Sequence, residues 1–350
     1  MKRIRDYGIQ IGTLEIGPKN LITDVQGVTV GHVTLNQGDM KTGVTAIIPH
    51  QGNLFKEKVM AASYVINGFG KSIGTVQIDE MGTIETPIIL TNTLSVGVCS
   101  HALIQYMLNQ NEEIGRTTGT INPVVCECND MLLNDIRAGY VKEDHVFQAI
   151  QRSKVSFEEG AVGAGTGMVC FGLKGGIGSS SRIVETSYGK YTIGVLVLSN
   201  FGQMEHFRLN GIPVGQKLCK IVQSPIRNEE DKGSIIIVVA TDLPLTERQL
   251  KRIIKRTSVG LARTGSYFGN ESGDIVIGFS TANKISHYPT SELRYVTSIH
   301  EAEINQAFIA VADATEEAIL NSLITSETTI GRNGHTAYSL KEYIEHLTNI

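Results

Sequence analysis

The sequence predicts a layered α/β protein, and three observations carry that prediction. Short apolar runs such as 235–240 are nearly continuous, so strands formed there need cover on both faces. Stretches with helical spacing and recognisable caps alternate with those runs. The 37 glycines among 350 residues supply the tight turns that many short elements require.

Taken in order, 28–34 and 45–49 read as strands, with β-branched residues punctuated by glycine or proline. Residues 57–67 fit a helix, which Gly68-Phe69-Gly70 would stop as a glycine cap. A strand at 87–91 leads into a helix around 96–109, and 195–198, 235–240 and 275–279 read as buried strands. Thr246-Glu247-Arg248-Gln249 is a capping box, after which Leu250, Ile253, Ile254 and Leu261 mark a buried stripe. Lys251, Arg252, Lys255 and Arg256 fall on the solvated face of that helix. Residues 301–323 repeat the helical pattern through Ile304, Ala307, Phe308, Val311, Ile319 and Leu323. No linker, fixed-period repeat or low-complexity stretch divides the chain, which reads as a single domain.

Composition excludes several classes. Thirty-one basic and 35 acidic side chains give a net charge of −4, with no local basic block to meet nucleic acid. No apolar run approaches the roughly 18 residues of a membrane span, and no apolar segment follows the charged Met1-Lys2-Arg3 start. Cys99, Cys126, Cys128, Cys170 and Cys219 are odd in number and sparse, unlike a secreted disulfide framework. The expectation is a cytoplasmic protein without nucleic-acid or membrane partners.

Familiar site motifs fail on inspection. Gly163-Ala164-Gly165-Thr166-Gly167 lacks the third glycine of a dinucleotide fingerprint, where Met168 stands, and Gly176-Ile177-Gly178 has Ser181 there. Gly70-Lys71-Ser72 has the tail of a phosphate loop, but Val65 replaces its first glycine. Cys126-Glu127-Cys128 has no second Cys/His pair, so both thiols read as small buried hydrophobes. Gly70-Lys71-Ser72-Ile73-Gly74 spells a nucleophile elbow, yet a helical pattern precedes it and Thr75-Val76-Gln77-Ile78 behind it looks strand-like. An elbow needs the reverse, so the expectation is an ordinary turn.

One junction can carry chemistry. Asp231-Lys232-Gly233-Ser234 opens onto the apolar run 235–240. It can be a plain loop-to-strand boundary. It can also be a self-processing bond, in which the Ser234 hydroxyl attacks the Gly233 carbonyl and leaves Ser234 as a new N-terminus. A free α-amine, with a pKa of about 7.7–8.0, would then sit beside its own hydroxyl as a base.

Motifs across most of the chain resemble the family of L-aminopeptidase D-esterase/amidases and β-peptidyl aminopeptidases, self-processing N-terminal-serine hydrolases. They include Asn20-Leu-Ile-Thr-Asp, Gly43-Val-Thr-Ala-Ile-Ile-Pro-His50, Asn67-Gly-Phe-Gly-Lys71, Ile84-Glu-Thr-Pro and Gly163-Ala-Gly-Thr-Gly-Met168. Lys174-Gly-Gly-Ile-Gly178, Gly233-Ser-Ile-Ile-Ile and Ser272-Gly-Asp-Ile275 follow in the same order, the whole running from near Asp6 to beyond Ala310.

The resemblance implies a four-layer α/β/β/α sandwich, of the kind shared with the ornithine acetyltransferases. It implies one catalytic domain processed between Gly233 and Ser234 into fragments 1–233 and 234–350, assembling into homo-oligomers. Ser234 matches the nucleophile; Ser272 and Asp274 match a serine and a carboxylate that polarise it. Alternation along a strand places those two on one face. Asn200 matches an oxyanion donor, and Glu127 a partner for the substrate's amino group. Asn129 stands where some relatives carry a tyrosine near the acyl site, which bears on substrate choice. Small peptides, amino-acid amides or esters are the expected substrates, and neither metal nor organic cofactor is expected. An acyltransferase of the same architecture is the alternative, disfavoured because those enzymes use threonine as nucleophile. An unprocessed small-molecule-binding relative is a third reading.

Overall fold

The computed structural model describes residues 2–222 and 233–348. The first half of the chain forms β1 (Thr29–Gln37), β2 (Met40–Ile48), β3 (Glu57–Gly68), α1 (Thr75–Met81) and β4 (Thr83–Ile84). It continues through β5 (Ile88–Asn92), α2 (Val96–Gln110), β6 (Val124–Cys128) and α3 (Glu143–Gln151). The hairpin β7 (Val169–Cys170) and β8 (Leu173–Lys174) then leads to β9 (Gly176–Thr186) and β10 (Gly189–Asn200). A second small hairpin, β11 (Arg208–Leu209) and β12 (Ile212–Pro213), precedes α4 (Gly215–Ile221). The remainder includes β13 (Ser234–Thr241), α5 (Glu247–Ile254), α6 (Thr257–Arg263), β14 (Gly273–Ser286) and α7 (Asn305–Ile324).

Side-chain alternation sorts these elements into four layers. Along β13, Ile235, Ile237 and Val239 face one core while Ile236, Val238 and Ala240 face another, so both faces are covered as the unbroken apolar run requires. The central core lies between a four-stranded sheet, ordered β1-β2-β5-β6, and a six-stranded sheet, ordered β4-β3-β14-β13-β10-β9. Helices α2 and α3 cover the outer face of the first sheet, and α5, α6 and α7 that of the second. The result is the α/β/β/α sandwich. Within the larger sheet β13 and β14 run parallel, joined through α5 and α6, while β13 meets β10 antiparallel.

Three expectations need correction. Residues 57–67 are the strand β3, not a helix. Glu57, Lys58, Met60, Ala61 and Ala62 favour a helix locally, but Val59, Tyr64, Val65 and Ile66 suit a strand, and β14 pairs with the segment from end to end. Tertiary pairing overrides weak propensity. Leu261 lies on α6, because the chain turns after Ile254. Helix α7 is not amphipathic along its length: from Ala310 to Ile324 it is buried on every side. Its acidic residues are paired there, Glu317 with Arg5 at 2.8 Å and Arg182 at 2.7 Å, and Asp313 with Arg263 at 2.6 Å.

Other local readings hold. The α5 capping box forms, with Gln249 N–H donating to Thr246 Oγ1 at 3.2 Å and Thr246 N–H to Gln249 Oε1 at 3.0 Å. Its basic face is less bare than expected: Lys251 pairs with Asp79 at 3.0 Å, and the Arg256 guanidinium sits 3.8 Å from the Phe308 ring centroid.

Candidate active site

Three strand ends meet at one rim of the six-stranded sheet. Ser234, the first residue of β13, stands opposite Asn200, the last of β10, and beside Gly273, the first of β14. All of the expected polar residues around them except Asn129 are buried: Ser234, Asn200, Ser272, Asp274 and Glu127. Ser272 Oγ donates to Asp274 Oδ1 at 2.7 Å, so strand alternation does bring the pair to one face. Asn67, in register with Asp274, donates its amide to the carbonyls of Gly269 and Asn270 at 2.9 and 3.2 Å and fixes the loop ahead of Ser272.

Two glycines make the close approach possible. A Cβ on Gly233 would fall 2.0 Å from the Asn200 carbonyl oxygen. One on Gly273 would lie 2.4 Å from Phe69 O and 3.2 Å from Ser234 Oγ. Only hydrogen fits at either place, so the Phe69 carbonyl can pack directly against Gly273, next to the serine. Gly273 N–H donates to the Gly233 carbonyl at 3.3 Å. Asp231 and Lys232 of the same motif lie outside the described residues.

The Asn200 carboxamide is gripped at both ends. Its Oδ1 accepts from Val169 N–H at 2.9 Å, and its Nδ2 donates to the Asn129 carbonyl at 3.0 Å. Asn129 thus enters the site through its main chain, while its side-chain oxygen accepts from Met131 N–H at 3.0 Å and closes its own turn. Glu127 comes from the other sheet, on β6. Its Oε1 accepts from Lys71 N–H at 3.1 Å, and Thr93 Oγ1 donates to Oε2. A Cβ on Gly70 would lie 3.5 Å from that Oε1 and 3.9 Å from Gly273 Cα, which puts Glu127 across Gly70 from the serine end.

Cys126 and Cys128 flank Glu127 on the opposite face, in the core between the sheets. Burial pushes the Cys126 thiol up to about 12, and burial with the nearby Glu127 charge holds Cys128 well above its ordinary value. Both are inert small hydrophobes, as expected. Among the described residues no cluster of three or more His, Cys, Asp or Glu could hold a metal ion.

The elbow-like motif needs a correction of reasoning. Ser72 is in fact preceded by a strand, β3, and followed by a helix, α1, because 57–67 and 75–81 each form the opposite of what their local patterns favour. Its hydroxyl nonetheless is buried against Cys126, and Ile73 pairs with Val125 of β6, so it is not displayed to a substrate. The turn remains structural. The glycine-rich 163–167 segment likewise packs against backbone: a Cβ on Gly165 would meet Ile177 N at 2.6 Å.

Sequence reasoning gave Thr93, Asp130 and Lys174 no individual role. Burial raises the Asp130 carboxyl to about 7, against hydrogen bonds from Thr42, Asn134 and Asn92. Burial pulls the Lys174 ammonium down to about 7, against Cys170 and Asp130. A lysine inside an apolar, glycine-rich stretch was the available signal.

Comparison with known proteins agrees with this geometry. Residues 20–337 match the family model described as Peptidase family S58. The chain is 38% identical over 359 residues to the β-peptidyl aminopeptidase BapA of Sphingosinicella microcystinivorans, across 97% of this chain and 89% of that protein. Among solved structures it is similar to the PH0078 protein from Pyrococcus horikoshii OT3, at 52% identity and a TM-score of 0.95 over 99% of both chains. It also superposes on the L-aminopeptidase D-Ala-esterase/amidase of Ochrobactrum anthropi, a variant of the Ntn hydrolase fold, at 35% identity and a TM-score of 0.90 over 98% of this chain and 99% of that one. Fold and likeness together define a hydrolase of the serine aminopeptidase/amidase class. The chain belongs to peptidase family S58.

Proposed function

We propose that the chain breaks its own bond between Gly233 and Ser234 and then releases N-terminal residues from short peptides, amino-acid amides or esters. What supports this reading most is the convergence of three strand ends, which sets Ser234 between the Asn200 carbonyl side and the Ser272 and Asp274 pair.

In the first reaction Ser234 Oγ attacks the Gly233 carbonyl carbon, and the peptide becomes an ester as its nitrogen takes up the serine proton. Water then cleaves the ester, leaving a Gly233 carboxylate and a free Ser234 α-amine. In turnover, Ser234 Oγ attacks the carbonyl after the substrate's first residue, and its own α-amine takes the proton and hands it to the leaving amine or alcohol. Ser272, held by Asp274, steadies that exchange. One Asn200 amide N–H goes to Asn129, and the second serves the oxyanion. Water releases the acyl group from the serine. Glu127 receives the substrate ammonium at a buried carboxylate already oriented by Lys71 N–H and Thr93.

Copies of the two-fragment unit would associate. Tyr288, Leu293 and Tyr295, exposed on the segment after β14, offer apolar surface for it. We place the protein in the cytoplasm, in keeping with five cysteines joined by no disulfide. No helix among the described residues is long and apolar enough to cross a membrane.

The denatured mass of freshly purified protein, with N-terminal sequencing, tests the reading. Fragments 1–233 and 234–350 are expected, the second starting at Ser234; one intact chain that hydrolyses amino-acid amides would refute the processing step. Glu127→Gln is expected to raise KM for substrates with a free amine by about 10- to 100-fold, the roughly 1.5–3 kcal/mol of a hydrogen bond to a charged group. Steady-state kinetics on an amide and its N-acetylated counterpart would check it, since equal loss on both would deny Glu127 that role.

A further inference from the structure

We infer that Lys174 is a positioning residue that sets the oxyanion-binding orientation of Asn200. The inference rests on the reading of Asn200 given above.

The connection runs through a single peptide unit. Lys174 Nζ is fully buried and donates to three backbone carbonyls, Gly165 O at 2.9 Å, Met168 O at 2.8 Å and Gly175 O at 2.8 Å. Three acceptors match the three protons of an ammonium. The Met168 carbonyl belongs to the same planar group as Val169 N–H, and that N–H donates to Asn200 Oδ1 at 2.9 Å. Ammonium, peptide plane and carboxamide therefore form one relay. A cation on the carbonyl end polarises the peptide and strengthens donation from its N–H.

That donation decides what Asn200 can do. A main-chain N–H pairs only with the amide oxygen, and the Asn129 carbonyl only with the amide nitrogen, so the carboxamide cannot flip. With oxygen and one N–H pinned, planarity fixes the direction of the second N–H. Loosening the Val169 contact would let that N–H wander from the oxyanion, while the Glu127 end of the site, on another sheet, would be unaffected.

The mere alternative is that Lys174 ties down a glycine-rich turn and nothing more. Kinetics separate the two. Each variant is made in the full chain, and kcat is counted per Ser234 terminus, quantified by N-terminal sequencing. Asn200→Ala is expected to lower kcat about 100- to 1,000-fold. Lys174→Met, which keeps the stem and drops the donors, is expected to lower kcat about 10- to 100-fold, the scale of a small misplacement, with KM within about twofold of the unmodified enzyme. The double variant should be no slower than Asn200→Ala alone. If Asn200→Ala is slow but Lys174→Met retains normal kcat, or if the two losses multiply, the role of Lys174 is overturned and that of Asn200 stands. If Asn200→Ala retains normal kcat, the reading of Asn200 itself falls. Should Lys174→Met fail to fold, Lys174→Gln, which keeps two donors, is measured the same way; an intermediate kcat at unchanged KM supports the role, and full kcat overturns it.

Discussion

A Ser234→Ala chain is expected to remain one 350-residue polypeptide and to hydrolyse nothing. Alanine keeps the Cβ and the main-chain ladder to Asn200 and Gly273, so β13 should form as before. What disappears is the oxygen that would attack the Gly233 carbonyl, and with it the route to a free α-amine. One substitution would therefore remove both the proposed nucleophile and the proposed base. The loss in kcat should be of the order of 10⁶, about what a serine hydrolase loses with its nucleophile. Denaturing mass spectrometry and an amide hydrolysis assay read the two reactions separately. A fragment beginning at residue 234 in this variant would sink the proposed chemistry.

The second large effect is on stability. Glu317 lies fully buried in α7 and accepts from Arg182, itself fully buried, at 2.7 Å and from Arg5 Nε at 2.8 and 3.0 Å; Asn20 donates to it as well. Glu317→Gln keeps the shape but removes the charge, leaving the Arg182 guanidinium in the core with carbonyl and hydroxyl oxygens alone. Breaking one side of a buried pair costs roughly 3–5 kcal/mol. The urea midpoint of the variant measures it, and a midpoint equal to that of the unmodified protein would refute it. Burial pushes the Glu317 carboxyl up, but Arg5, Arg182 and Asn20 outweigh that and hold it below its ordinary value near 4.5. A depressed carboxylate contributes its stability above that ordinary value and loses it as pH falls toward the folded pKa. The unmodified protein should therefore lose part of its stability below about pH 4.5, and Glu317→Gln should lose less over the same range.

How much of this was legible in the sequence follows the range of each interaction. The capping box at Thr246 and the buried run 235–240 are local, and both read correctly. The Ser272 and Asp274 pair needs only strand alternation to meet. Residues 57–67 misled because their sheet partner lies more than 200 positions away, at 273–286. That error also reversed the context of Ser72. The grip on Asn200 was out of reach for a related reason: its partners are the main-chain groups of Asn129 and Val169, whose side chains say nothing about it. Full burial of α7 depends on the N-terminal segment laid across it, through Ile4 N–H on Asn321 and Arg5 on Glu317.

The strand order β3-β14-β13-β10 gives a proposed break before Ser234 an unusual meaning. The two strands of the later piece lie inside the sheet, each hydrogen-bonded to a strand of the earlier piece. Pulled apart, the pieces would expose four raw edges, each an invitation to aggregate. Two polypeptides would thus share one cooperative transition, and neither would be a folding unit by itself. Before the break, folding is the private affair of one chain. After it, recovery from denaturation would be an encounter between two, with a rate set by concentration, so self-cleavage would turn a renewable fold into one that is assembled once and then kept.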